Sequence, residues 1–64
     1  MDKLSDREKD VLFYLVKGYN NKQIGKVLSI SHHTVKAHVS ALIRRFECSD
    51  RTEVAYLAGK YNII

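Results

Sequence analysis

Lys36, Ala37, Ser40, Ala41 and Arg44 follow one another at steps of one, three, one and three residues, with His33 one turn ahead. On a helix of about 3.6 residues per turn, that spacing gathers all six on one face. The centre of this face is small, so the helix axis can come close to another surface. Lys36 and Arg44 place N–H donors towards its two ends, and it carries no acid. A helix that meets only water more usually pairs Glu with Lys at such positions. The surface this face fits is one lined with hydrogen-bond acceptors and wide enough to admit a helix, as is the DNA major groove at roughly 12 Å. Lys36, Ala37, Ser40 and His33 are therefore the candidate base readers.

A second group has phosphate chemistry. Ser31, His32 and Thr34 open the same helix and Lys22 lies near the start of the one before it. Unpaired backbone N–H groups and the helix dipole favour an anion at such places. Together with His38 and Arg44 they form the candidate set for contacts to the DNA backbone, which position a protein on the duplex without specifying sequence. His38 falls at the edge of the apolar stripe, where its ring can pack while one nitrogen reaches a polar partner. Ser31 and Asn20 have a capping role whether or not DNA is bound.

Other chemistries lack their residues. His32, His33 and His38 match neither H-E-x-x-H nor a Cys/His zinc spacing, and Cys48 is a lone cysteine without a C-x-x-C partner or a disulfide mate. No nucleophile stands at a recognisable spacing from a base, and no glycine-rich phosphate loop is present. The expectations are no enzyme, no metal, no cofactor and no small-molecule ligand.

Four helices must hold these residues, over about 5–17, 20–28, 31–46 and 50–61. Ser5 and Glu8 form an S-x-x-E capping box, and Gly18 is placed to end the first helix. Asn20 with Gln23 opens the second, Ser31 the third, and Asp50 with Glu53 the fourth. Apolar residues recur at three and four, which predicts inner stripes of Val11, Leu12, Leu15 and Val16; of Ile24, Val27 and Leu28; of Val35, Val39, Leu42, Ile43 and Phe46; and of Val54, Leu57, Ala58 and Tyr61. Strand alternation is absent. Only Ser29 and Ile30 separate Leu28 from the cap at Ser31, so the second and third helices meet steeply across a tight turn. Ile30 and Val35 have the spacing of a hydrophobic staple across that cap. The expected fold is all-α: a four-helix, bundle-like domain around a tri-helical helix-turn-helix core, one domain over 1–64.

Bulk properties agree. A 64-residue chain of 45% hydrophobic content can close one small core. The net charge of +4 is concentrated. From Lys17 to Arg45 the charged residues are Lys17, Lys22, Lys26, Lys36, Arg44 and Arg45, with every acid outside the block. Such a block attracts a polyanion more strongly than scattered charge does. The first ten residues are highly charged and hold no signal-peptide core, and the apolar run Val11–Val16 is too short for a membrane helix. A cytoplasmic protein with no membrane contact is expected.

The ordered series Leu4-Ser5, Arg7-Glu8, Val11-Leu12, Gly18, Asn21-Lys22, Ile24, Leu28, Ile30-Ser31, Thr34-Val35-Lys36, His38-Val39, Ile43 and Arg51 resembles the LuxR-type (GerE-like) DNA-binding domain, from Leu4 to about Tyr61. The resemblance implies a bacterial transcription regulator's output domain, usually C-terminal to a phosphorylated receiver or a ligand-sensing domain. It also implies double-stranded DNA as partner, with base reading at Lys36, Ala37 and Ser40 and backbone contacts at Lys22, Thr34 and His38. Homodimerisation on DNA through helix 50–61 is expected, with RNA polymerase a candidate further partner. Three departures stand out: Gly25 where alanine is usual, Phe46 where leucine is common, and Glu47-Cys48 where glycine and an aliphatic residue are preferred. They are expected to soften the second helix and the turn after the third. Alternative readings of the same tri-helical core are a protein-interaction module and a sigma-factor-like promoter reader. A partner-helix site should be more apolar and aromatic at its centre and less uniformly basic than this face.

Overall fold

A computed structural model describes residues 4–63. In it the chain forms α1 (Asp6–Val16), α2 (Asn21–Leu28), α3 (His32–Arg45) and α4 (Arg51–Lys60). The expected ranges correspond to these helices together with their capping residues, save that 20–28 stops short of the C-cap Ser29. No strand occurs among the described residues.

Each helix starts on a side-chain cap. Ser5 Oγ accepts from Glu8 N–H at 3.1 Å while Glu8 Oε1 accepts from Ser5 N–H at 2.8 Å. Asn20 and Gln23 make the same reciprocal pair at 2.8 and 2.9 Å. Ser31 Oγ accepts from Thr34 N–H at 3.1 Å. Asp50 caps α4 by accepting from Glu53 N–H at 2.9 Å, and the Glu53 carboxylate reaches one residue further back, to Ser49 N–H at 2.8 Å.

The helices also end alike. A residue with positive φ follows the last turn of each: Gly18 at 88°, Ser29 at 58°, Glu47 at 54° and Asn62 at 56°. The next N–H then closes back five residues, Tyr19 to Tyr14 O, Ile30 to Gly25 O, Cys48 to Ile43 O and Ile63 to Ala58 O, at 2.9–3.1 Å. This closure satisfies carbonyls that the helix leaves orphaned.

The core is Leu4, Val11, Leu12 and Leu15 from α1 and its lead-in, Ile24 from α2, Val35, Val39 and Leu42 from α3, and Val54 and Ala58 from α4. Tyr14, Tyr19, Leu28, Ile30, Ile43, Phe46 and Cys48 pack around it, half-buried. Four expected core residues lie outside this cluster: Leu57 is half-buried, and the other three are exposed. Val16 is 38% exposed, Val27 48% and Tyr61 63%. On α2 the inward positions are Ile24, Gly25 and Leu28, and Val27 lies roughly 105° round from their mean direction. Val16 is the final residue of α1, beyond Leu15, and Tyr61 is the C-cap of α4, beyond Ala58. Conversely, Glu8 is buried at 9% exposure, on the stripe Glu8, Val11, Leu12, Leu15.

Helices α2 and α3 pack closely across their turn, while α1 lies against α3 and α4. Among the described residues α2 and α4 do not pack on each other. Arg51, at the start of α4, reaches across instead: Nη1 donates to Asn21 Oδ1 at 2.5 Å and Nη2 to the Tyr19 carbonyl at 2.9 Å. One guanidinium thus fixes the α1–α2 connection, and with it the start of α2, against the start of α4.

Candidate nucleic-acid interface

Helix α3 buries Val35, Val39 and Leu42 on one side, and this fixes what the other sides present. Ala37 and Arg44 lie opposite the core stripe and are exposed, as are His33 and Lys36. Ser40 and Ala41 are half-buried, so the middle of the face is recessed between the longer Lys36 and Arg44 side chains. The four expected base-reading positions, Lys36, Ala37, Ser40 and His33, therefore share one accessible side, with Arg44 at its far end.

The start of α3 is exposed throughout. Ser31, His32 and Thr34 surround its first turn, which carries no acidic residue. Besides capping, Ser31 Oγ lies 2.9 Å from Thr34 Oγ1, which orients the threonine hydroxyl. The His32 and His33 rings are 4.1 Å apart and tilted by 34°. Lys22, in the first turn of α2, is exposed as well. Neither helix start carries an acid in its first turn, which favours phosphate oxygens at each.

The turn itself depends on Gly25. A β-carbon there would lie 2.6 Å from the Ile30 carbonyl oxygen and 3.4 Å from His32 N. The expectation that glycine merely softens α2 is therefore incomplete: its missing side chain lets the backbone leading into α3 approach α2. Ile30 is half-buried and Val35 fully buried on either side of the Ser31 cap, at the staple positions.

His38 has a different setting from the other candidates. It is half-buried on the flank of α3 near α1, close enough to Glu8 for its charge to help hold that carboxyl's pKa down. Arg45 shares this flank, with Nε 3.3 Å from Glu8 Oε2. The lowering at Glu8 comes first from the Ser5 backbone N–H, with the Ser5 side chain, Arg45 and His38 adding to it and burial opposing it. Sequence reasoning gave Glu8 only its capping role. The signal was its place on the inner stripe of α1, where an acid needs a cation.

Cys48 is half-buried, with its Sγ donating to the Phe46 carbonyl at 3.5 Å. Burial, with the Glu53 and Asp50 carboxylates, pushes its thiol pKa up. Among the described residues no three His, Cys, Asp or Glu side chains come together to hold a metal ion, and no helix is long and apolar enough to cross a membrane.

Comparison with known proteins bears on what this surface meets. Residues 2–58 match the family described as bacterial regulatory proteins, luxR family. Similar proteins include the uncharacterized transcriptional regulatory protein YhcZ of Bacillus subtilis, 50% identical over 60 residues, which is 94% of this chain and 28% of that protein. The putative HTH-type transcriptional regulator YhjB of Escherichia coli is 46% identical over 54 residues, 84% of this chain and 27% of that protein. The response regulator protein VraR of Staphylococcus aureus is 38% identical over 61 residues, 95% of this chain and 29% of that protein. The chain thus spans little more than a quarter of the length of these relatives.

Proposed function

Because the chain belongs to the luxR family of bacterial regulatory proteins, a family of DNA-binding transcription regulators, we propose that it reads a specific duplex sequence by laying α3 in the major groove. The observation that carries this reading is the solvent side of α3. It is free of acids from His32 to Arg45, small at Ala37, Ser40 and Ala41, and has Lys36 and Arg44 exposed along it. Lys36 is assigned a direct base contact, with Ala37, Ser40 and His33 beside it. Lys22, Ser31, His32, Thr34, His38 and Arg44 are assigned to the sugar–phosphate backbone. Half-buried Ser40 makes a short contact at most, so sequence-dependent DNA shape carries part of the specificity.

The regulator is of the response-regulator type, a reading supported by likeness to a protein named as one. It acts in the bacterial cytoplasm. On DNA it pairs with a second copy through α4, whose Tyr56 is 62% exposed beside Thr52 and Gly59, all on the solvent side. The protein-interaction alternative fits less well, because the centre of the α3 face has neither aromatic nor bulky apolar residues.

Selection of bound sequences from a random duplex pool tests this directly. An enriched half-site, repeated with two-fold symmetry at a spacing near one helical turn or a multiple of it, is the expected result. Lys36→Ala should then cost about 1–3 kcal/mol on that site and relax preference at one base pair, if the contact is to guanine. A pool that stays random, or a Lys36→Ala variant with unaltered preference, overturns the assignment. Ultracentrifugation with and without the selected duplex reads the oligomeric state.

A further inference from the structure

Glu8 divides its two carboxylate oxygens between two helices. Oε1 accepts the Ser5 N–H at 2.8 Å and so belongs to the N-terminal cap of α1. Oε2 lies 3.3 Å from Nε of Arg45, in the last turn of α3. The Glu8 side chain is 11% exposed and that of Arg45 33%, so the pair lies partly beneath the surface and is less screened than one in open water. His38 lies two turns earlier on the same flank of α3 and also helps hold the Glu8 carboxyl's pKa down.

We propose that Glu8 is a positioning residue for DNA recognition, fixing through Arg45 the roll of α3 and hence which side chains its solvent face presents. This rests on the reading of α3 as the recognition helix. The contacts of Val35, Val39 and Leu42 with the core are apolar and non-directional, and alone they tolerate a small rotation of α3 about its axis. A charge-assisted contact is directional. Arg45 lies about 100° round the helix from Arg44, and α3 moves as one rigid element, so a roll that re-aims Lys36, Ala37 and Arg44 draws Arg45 away from Glu8. Because the other Glu8 oxygen is committed to Ser5, the carboxylate cannot follow without opening the α1 cap.

The test uses the 64-residue chain and two duplexes, the selected operator and a random sequence, at a temperature where circular dichroism shows every variant folded. Glu8→Gln keeps an oxygen for the Ser5 N–H and removes the ion pair. The expected result is an operator-to-random affinity ratio lowered about two- to tenfold, with no further loss when Glu8→Gln is added to Arg45→Gln. A role confined to stability would leave that ratio unchanged in folded protein. Lys36→Ala is measured alongside. If it lowers the ratio and Glu8→Gln does not, the positioning role is overturned while the recognition helix stands. If neither does, the assignment of α3 falls, and the positioning role with it. Should Glu8→Gln fail to fold, Arg45→Gln, which leaves the Ser5–Glu8 cap intact, takes its place, and an unchanged ratio in that variant overturns the proposal.

Discussion

The β-carbon that Gly25 lacks would stand 2.6 Å from the carbonyl oxygen of Ile30. Helix propensity alone favours Gly25→Ala by about 1 kcal/mol. The close oxygen belongs to backbone, however, and Ile30 N–H is itself bonded to Gly25 O at 2.9 Å, so the turn cannot yield without loosening its own closure. Gly25→Ala should therefore be net destabilising, by about 1–3 kcal/mol in urea titration, as overpacking generally is. A more stable variant would mean that the α2–α3 approach is slack.

Glu47 follows the last turn of α3 with φ at 54°, a conformation in which a side chain clashes with its own backbone. Its carbon skeleton is exposed and no packing offsets the strain. Glu47→Gly removes a penalty of about 1–2 kcal/mol and adds unfolded-state entropy worth about 0.5–1 kcal/mol. The net expectation is a gain of about 0.5–1 kcal/mol. Gly18→Ala, at φ 88°, should move stability the opposite way by a similar amount. Denaturant midpoints of the two variants, compared at equal slope, check both signs.

Arg51 donates from two nitrogens, one to Tyr19 in the α1–α2 connection and one to Asn21 at the start of α2, and α2 has no other helix-level contact with α4 among the described residues. Arg51→Ala should cost about 1–3 kcal/mol, because it also leaves the Tyr19 carbonyl without this donor. Arg51→Lys should recover only part of that, since one ammonium cannot reproduce the planar fork. Equal stability of the Lys variant and the wild type in thermal unfolding would show that charge rather than geometry matters there.

Glu8 gives the pH dependence a sign. Its carboxyl pKa in the folded chain is held below the usual 4.5, mainly by the Ser5 backbone N–H. In acid the unfolded chain therefore binds a proton at Glu8 more readily than the folded chain does. The stabilisation is complete above about pH 4.5 and is lost as pH falls through the lower folded-state value. Unfolding free energies measured from pH 6 down to pH 3 should drop less steeply for Glu8→Gln than for wild type. Parallel curves would place the acid sensitivity elsewhere.

These residues also mark what could be read in advance. Helix boundaries were legible because Ser5, Asn20, Ser31 and Asp50 are local signals, each satisfied within three residues of chain. The outward face of α3 was legible because periodicity fixes a helix's two sides once the core stripe is known. Val16 and Tyr61 were misplaced because periodicity does not say how far along a helix its neighbours extend, and Val27 because the inward direction of α2 is set by Ile24, Gly25 and Leu28 rather than by the apolar residues alone. The ties of Glu8 to Arg45 and of Arg51 to Tyr19 join residues more than thirty apart in sequence, and no local pattern encodes such a distance. At Glu47 the departure from the family's usual glycine was visible, but the reason for that preference, a left-handed backbone, appeared only with the fold.

Lys22 and Lys36 are both exposed lysines, one at the start of α2 and one within the solvent side of α3, and they are expected to fail differently. A contact to phosphate releases a counterion and is blind to sequence, so Lys22→Ala should weaken operator and random duplex alike. It should also flatten the dependence of log K on log salt by about one unit of slope. A contact to a base edge discriminates, so Lys36→Ala should lower operator affinity more than random affinity. Gel-shift titrations on both duplexes at several salt concentrations separate the two behaviours. If Lys22→Ala instead alters base preference while leaving the salt slope intact, the start of α2 reads sequence and the division of labour between the two helices must be redrawn.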